Sequence, residues 1–90
     1  MLDELLILKK IKGGDIKAFE ELFRRYYFPL CCYAAGITGQ MEVAEEIVEE
    51  LFYVLWKERE RLQIFQSVKS YLYRATRNQS LQYCEHEEVR

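Results

Sequence analysis

Apolar residues recur every three or four positions along almost the whole chain, and this spacing predicts amphipathic α-helices. No stretch shows the apolar–polar alternation that is typical of a half-buried β-strand. The pattern therefore predicts an all-α fold, a compact bundle of about four helices. The 90 residues fit one domain with a modest core, covering positions 1–90.

Turn residues divide the first half of the chain. Leu2–Lys12 is predicted to be a short amphipathic helix that Gly13-Gly14 ends, because glycine readily adopts the left-handed cap conformation. Asp15 is predicted to cap the second helix by accepting hydrogen bonds from amides of its first turn. Gly36 and Gly39 are predicted to bracket a short turn before the third helix.

The third helix, predicted over Glu42–Glu60, combines carboxylates with large aromatic residues. Its buried side is predicted to comprise Val43, Ala44, Ile47, Val48, Leu51, Val54 and Leu55. Its other side carries Glu42, Glu45, Glu46, Glu49 and Glu50, with Phe52, Tyr53 and Trp56 projecting among them. Aromatic anchors ringed by charge are typical of a protein-binding surface. The alternative is that a neighbouring helix or a chain terminus covers Trp56.

The fourth helix, which contains Ser70–Tyr83 and has Ser67 as its predicted cap, concentrates cations. The predicted buried side is Val68, Tyr71, Leu72, Ala75 and Tyr83. The predicted polar side is Lys69, Ser70, Tyr73, Arg74, Arg77 and Ser80, with Asn78 at its edge. Arg61–Cys84 contains four cations and no Asp or Glu. This favours contact with nucleic acid, whereas an ordinary solvated helix face is the alternative.

Composition limits the remaining possibilities. A formal charge of −2 argues against general binding to duplex DNA, so any contact with nucleic acid must be local or assisted by another protein. The three cysteines make an unlikely disulfide framework, and with His86 as the single histidine we expect no metal and no cofactor. No apolar run approaches 18 residues, so we expect a cytoplasmic protein without a membrane segment.

Three segments carry a family resemblance. GDIKAFEELFRRYY, AEEIVEELFYVLWK, and SYLYRATRN followed by LQY together resemble region 2 of the extracytoplasmic-function (ECF) sigma factors of bacterial RNA polymerase. The resemblance covers nearly the whole chain, and the segments have the order and spacing of that family. Glu49 stands where the family commonly has Gln.

The resemblance implies two binding surfaces and no catalysis. The acidic helix would dock on the clamp helices of the polymerase largest subunit through Glu46, Glu49, Glu50, Phe52, Leu55, Trp56 and Lys57. The fourth helix and the connector before it (residues 61–67) would melt the promoter −10 element and capture its non-template strand. The matching positions are Phe65, Lys69, Arg74, Arg77, Asn78 and Gln82. Tyr73 is a further candidate, and its ring and that of Phe65 could stack on unpaired bases.

Partners and domain extent follow from the same resemblance. The expected partners are the RNA polymerase core, promoter DNA and an anti-sigma factor. The helix-turn-helix domain that reads the −35 element in this family is expected to be absent from this chain. The alternative is a helical protein-interaction module that binds polymerase or an anti-sigma factor without touching DNA. The acid-free stretch Arg61–Cys84 argues against that alternative.

Overall fold

The computed structural model describes residues 2–63 and 67–89, and over these residues the chain is helical without any strand. The helices are α1 (Leu2–Lys12), α2 (Ile16–Thr38), α3 (Met41–Lys57) and α4 (Val68–Val89), and a short 3-10 helix (Arg59–Arg61) follows α3. The predicted all-α bundle of four helices is therefore confirmed. In this part of the chain, no helix is long and apolar enough to cross a membrane.

The turn between α1 and α2 forms as predicted. α1 ends at Lys12, and Gly14 adopts a left-handed φ of 92°. The Asp15 carboxylate accepts hydrogen bonds from the backbone N–H groups of Lys17 (3.0 Å) and Ala18 (3.2 Å). These bonds satisfy amides that have no partner within the helix, so Asp15 is the N-cap of α2.

The second turn is shorter than predicted. α2 continues through Gly36 and ends at Thr38, so Gly36 is a helical residue rather than the start of a turn. Gly39 provides the C-cap with φ 78°, and its N–H donates to the Ala35 carbonyl oxygen at 2.8 Å. The turn shrinks because one left-handed glycine is enough to end a helix.

The end of α3 also differs from the sequence-based prediction. α3 ends at Lys57, three residues before the predicted end, and the chain tightens into the 3-10 helix. Ser67 caps α4 as predicted, because its Oγ accepts a hydrogen bond from the Ser70 N–H at 3.1 Å. α4 then extends past Tyr83 to Val89.

Helix α2 is the centre of the bundle, and α1, α3 and α4 all pack against it. Its inward residues recur every four positions. The buried apolar core comprises Ile7, Leu8 and Ile11 of α1; Ala18, Leu22, Tyr26, Leu30, Cys31 and Ala34 of α2; Ala44, Val48, Phe52 and Leu55 of α3; and Leu62, Val68 and Leu72. This packing leaves one side of α3 and one side of α4 exposed next to each other.

Candidate functional site

The exposed side of α3 is rich in carboxylates, and we call it the acidic face. Its exposed side chains are Glu42, Glu45, Glu46, Glu49, Glu50, Tyr53 and Lys57. The Tyr53 side chain is 59% exposed, and the Lys57 ammonium nitrogen lies 5.9 Å from its ring centroid. Of the candidate polymerase-binding residues, the three glutamates and Lys57 are therefore accessible. Tyr53, which the candidate set omits, is the aromatic residue that projects among them.

Phe52 and Leu55 lie in the core, which corrects the prediction that Phe52 projects among the carboxylates. Their side chains are only 1% and 2% exposed. The Phe52 ring packs edge-on against Phe19 and Phe23 of α2, with centroid separations of 6.1 and 5.0 Å. The signal was present in the sequence: Phe52 follows the core residue Val48 by four positions, which puts both on one helix face.

Trp56 is half-buried between α2 and the 3-10 helix, so it is also less exposed than predicted. Its ring centroid lies 5.1 Å from that of Phe19. The Arg59 guanidinium stacks on the other side, 4.3 Å from the Trp56 centroid, and donates a hydrogen bond to the Trp56 carbonyl oxygen at 3.0 Å. The alternative in which neighbouring elements cover Trp56 therefore applies in part.

Glu49 is the carboxylate of the acidic face that is tied to another helix by a hydrogen bond. The Tyr27 hydroxyl of α2 donates to Glu49 Oε2 at 3.0 Å. Burial raises the pKa of Tyr27 well above its ordinary value, and the bond to Glu49 raises it further. Tyr27 thus remains a protonated donor at neutral pH and holds Glu49 in a defined position.

The exposed side of α4 carries amides, a hydroxyl and cations, and we call it the polar face. Over residues 69–82 it exposes Lys69, Ser70, Arg74, Arg77, Asn78 and Gln82, and the exposed carboxylates of α4, Glu85 and Glu87, follow in its last turns. These residues include five of the seven candidate DNA-binding residues. Phe65, another candidate, lies outside the described residues.

Tyr73 and Ser80 do not belong to the polar face, which corrects their predicted placement. Ser80 is fully buried, as is Thr76 one turn before it, whereas the predicted core residue Tyr71 is 36% exposed. Tyr73 is half-buried, with its ring centroid 5.1 Å from that of Tyr33 in α2. α4 is rotated relative to the predicted orientation because this flank packs on α2.

A groove separates the acidic face from the polar face. It has a volume of about 650 Å³ and is lined by Glu46, Ile47, Glu50, Leu51, Val54, Ala75, Asn78 and Gln79. Asn78 therefore shares this groove with two carboxylates of α3. A second hollow of about 640 Å³ includes Gln82 and shares Ile47 and Gln79 with the first. The two candidate surfaces meet along this seam and are not on opposite sides of the domain.

The described side chains offer no clear place for a metal ion. Among them, no group of three or more His, Cys, Asp or Glu residues is arranged to hold one. The region places the carboxylates of α3 beside the cations in the first half of α4.

Comparison with protein families gives a match over most of the chain. A family model described as Sigma-70 region 2 matches residues 22–88. The chain belongs to the sigma-70 region 2 family. Searches of curated proteins and of solved structures gave no match.

Membership in the sigma-70 region 2 family gives the chain a general role. It is a domain of a sigma factor, the class of protein that acts in transcription initiation with RNA polymerase core and promoter DNA. The matched segment includes all of α3 and all but the last residue of α4, and hence the acidic face, the polar face and the groove between them. It begins at Leu22, so α1 and the start of α2 lie outside it.

Proposed function

We propose that this sigma-70 region 2 domain is of the ECF type, that its acidic face binds the clamp helices of RNA polymerase, and that its polar face recognises and melts the promoter −10 element. The observation that supports this most strongly is the separation of charge between two adjacent helices. The acidic face exposes five glutamates, whereas the polar face exposes three cations and, over residues 69–82, no carboxylate. Opposite charges on neighbouring faces suit a domain placed between a protein and a nucleic acid.

The polymerase half of the proposal rests on the exposed groups of α3. Glu46, Glu49 and Glu50 provide charge, and Tyr53 provides an exposed aromatic ring among them. Rings of this kind are frequent binding hot spots when a partner buries them. Phe52 and Leu55 would act from beneath by fixing the orientation of α3, because their side chains are buried.

The DNA half rests on the chemistry of α4. Arg74 and Arg77 are exposed cations suited to phosphates, which position a duplex or a strand without reading its sequence. Asn78 and Gln82 each offer an amide donor and acceptor, the pair of groups needed at a base edge. Since the net charge is −2, the polymerase would supply most of the affinity for DNA and this domain would supply selection.

Binding to labelled promoter DNA, with and without polymerase core, tests this function. Fluorescence anisotropy should show weak binding of the free domain to duplex DNA at physiological salt. Addition of polymerase core should produce binding that prefers the single-stranded −10 non-template sequence over its complement. Tight duplex binding by the free domain, or a complex indifferent to strand, would contradict the proposal.

A protein-interaction module without DNA contact is the second candidate. The observation that favours it is the groove between α3 and α4, because Glu46 and Glu50 line this groove together with Asn78. Carboxylates repel phosphates, so a protein segment fits this groove better than a DNA backbone does. Strand-indifferent complexes that still contain polymerase would select this candidate.

Regulation and location follow as expectations of the same proposal. A protein that covers the acidic face would block binding to polymerase, so an anti-sigma factor is the expected regulator. The domain would act in the cytoplasm, where polymerase is found, and it would have no catalytic activity of its own.

A further inference from the structure

Tyr33 of α2 and Tyr73 of α4 form an aromatic pair where the two helices meet. Their ring centroids lie 5.1 Å apart, with an angle of 66° between the ring planes. Tyr73 is half-buried, whereas Tyr33 remains 36% exposed. The accessible aromatic surface beside the polar face of α4 is therefore shared between Tyr73 and a residue of another helix.

Cations of α4 lie on both sides of this aromatic pair. Lys69 and Arg77 are exposed, and they stand four positions before and four positions after Tyr73. Residues four apart lie on the same side of a helix, one turn from each other, so both cations are neighbours of the Tyr73 ring. A cation, a ring and a second cation thus follow one another along the flank of α4 that packs on α2.

The two segments that meet at this pair contain no carboxylate. Residues 22–41, which include Tyr33, have no Asp or Glu, and neither does Arg61–Cys84. On its other flank, by contrast, α4 borders the groove that is lined by Glu46 and Glu50. Because carboxylates repel phosphates, a DNA backbone meets less repulsion on the α2 side of α4 than on the α3 side.

We propose that Tyr33 is a further DNA-contacting residue: an unpaired base of the −10 non-template strand stacks on its ring where the strand crosses from α4 to α2. This inference rests on the proposed function. Proteins that hold a single strand combine cations for the backbone with rings for the bases, and the junction of α2 and α4 has both. Arg77 would hold a phosphate, and Asn78, the next residue of α4, would read a neighbouring base. Every base has a face that can stack, so Tyr33 would add affinity for the strand without adding preference for a base.

Three variants of the whole chain, each bound to polymerase core, test this contact. Tyr33→Leu removes the ring but keeps an apolar side chain against Tyr73, whereas Tyr33→Phe keeps the ring. Phe28→Leu is the matched control, because Phe28 is a 68% exposed ring on the same helix and lies about 140° around it from Tyr33. Fluorescence anisotropy measures affinity for the labelled −10 non-template strand at several salt concentrations. Transcription from a promoter pool randomised over the −10 element measures base preference.

Tyr33→Leu should bind the strand about ten-fold more weakly, the size expected for one base stack, with the salt slope and base preference of the wild type. Tyr33→Phe and Phe28→Leu should bind the strand as the wild type does. Unchanged affinity for Tyr33→Leu would overturn the proposal. A lower salt slope or an altered base preference would also overturn it, because Tyr33 would then act by holding α4 and its arginines in place.

Cross-linking provides a second measurement that does not depend on the folding of Tyr33→Leu. A strand with 5-iodouracil at successive −10 positions is irradiated in the wild-type complex, and mass spectrometry locates the attached residue. Iodouracil couples to an aromatic ring stacked on it, so one position should attach to Tyr33, and attachment from no position would contradict the stack. If the wild-type complex does not prefer this strand over its complement, the proposed function itself fails. A selective wild type without a contact to Tyr33 removes only this inference.

Discussion

Helices α3 and α4 both pack one side on α2, yet different kinds of side chain hold them there. The buried stripe of α3 is apolar throughout: Ala44, Val48, Phe52 and Leu55. The buried stripe of α4 begins with Val68 and Leu72 and then changes to hydroxyl residues, Thr76 and Ser80. Both hydroxyl oxygens are buried without a hydrogen-bond partner among the described residues.

This difference matters because apolar burial stabilises a helix, whereas an unpaired buried hydroxyl opposes it. The helix that carries the acidic face is therefore held by apolar packing along its whole buried side. The helix that carries the polar face is held less strongly in its middle, where the buried residues are Thr76 and Ser80. A polymerase-binding surface benefits from a fixed shape. A helix that must adjust to a strand of DNA benefits from a lower cost of movement.

The largest effect on stability is expected when the central buried side chain of α3 is truncated. Phe52→Ala should lower the free energy of unfolding by about 3–5 kcal/mol, because it leaves a cavity against Phe19 and Phe23. Urea unfolding measures the change. Tyr53→Ala, one residue along, is the matched control and should stay within about 0.5 kcal/mol. Equal effects for the two variants would mean that α3 does not present these two faces in solution.

The exposed aromatic residue of the acidic face should instead affect binding. Tyr53→Ala should weaken affinity for polymerase core by about 2 kcal/mol, the lower limit for a hot spot. Glu49→Lys should also weaken it, since the charge is reversed. Tyr71→Ala, which alters an exposed tyrosine on α4, serves as the control and should bind polymerase normally. Unimpaired binding by Tyr53→Ala would place the polymerase contact elsewhere on the domain.

On α4, the neighbouring residues Arg77 and Asn78 should separate affinity from selection. Arg77→Ala removes a phosphate contact, so it should lower transcription from all promoters alike and reduce the salt slope by about one. Asn78→Ala removes an amide and should relax preference at one or two −10 positions by about 1–2 kcal/mol. Transcription from a randomised −10 pool measures both. If the base profile of Asn78→Ala matches that of the wild type, Asn78 only lines the groove beside Glu46 and Glu50.

Replacing a buried hydroxyl of α4 with an apolar group should stabilise the domain. Thr76→Val replaces a buried hydroxyl with a methyl group of similar size, so it should raise the free energy of unfolding by about 1 kcal/mol. Ser70→Ala, on the exposed side of the same helix, should change it far less. Thermal unfolding compares the two. A destabilised Thr76→Val would indicate that the hydroxyl has a partner in solution.

The smallest effect at neutral pH is expected for the bond between α2 and the acidic face. Tyr27→Phe should cost about 0.5 kcal/mol, because Glu49 is exposed and returns to water. In the folded protein, burial raises the pKa of Tyr27, and the hydrogen bond to Glu49 raises it further. In the unfolded chain the pKa of a tyrosine is about 10.

The pH dependence of the same variant has a defined sign. Above about pH 10 the folded state holds a proton that the unfolded state has lost, so stability falls as pH rises. Tyr27→Phe should make this decline less steep, and Tyr26, whose pKa burial also raises, accounts for part of what remains. Unfolding measured at several pH values between 8 and about 11 tests this. An unchanged slope would mean that Tyr27 ionises in the folded protein as it does in the unfolded chain.

The sequence alone predicted where the helices start and stop wherever one residue decides it locally. Asp15, Gly39 and Ser67 act as caps through bonds to amides or carbonyls no more than four residues away. It also pointed to the sigma-70 region 2 family through three short motifs, and the family match over residues 22–88 confirms that family, whereas the ECF type stays a prediction. The acidic and cationic sides of α3 and α4 were found by the same periodic reading, because charge seldom enters the core.

The rotation of α3 and α4 about their axes was decided only by tertiary structure. α3 has apolar residues around more than half its circumference, so several rotations satisfy its pattern equally well. The aromatic rings of Phe19 and Phe23 on α2 select the one that buries Phe52 and exposes Tyr53. In α4, packing on α2 buries Ser80 although its polarity predicts exposure. Periodicity states that a helix has an inner side, but the shape of the neighbouring helix determines which residues form it.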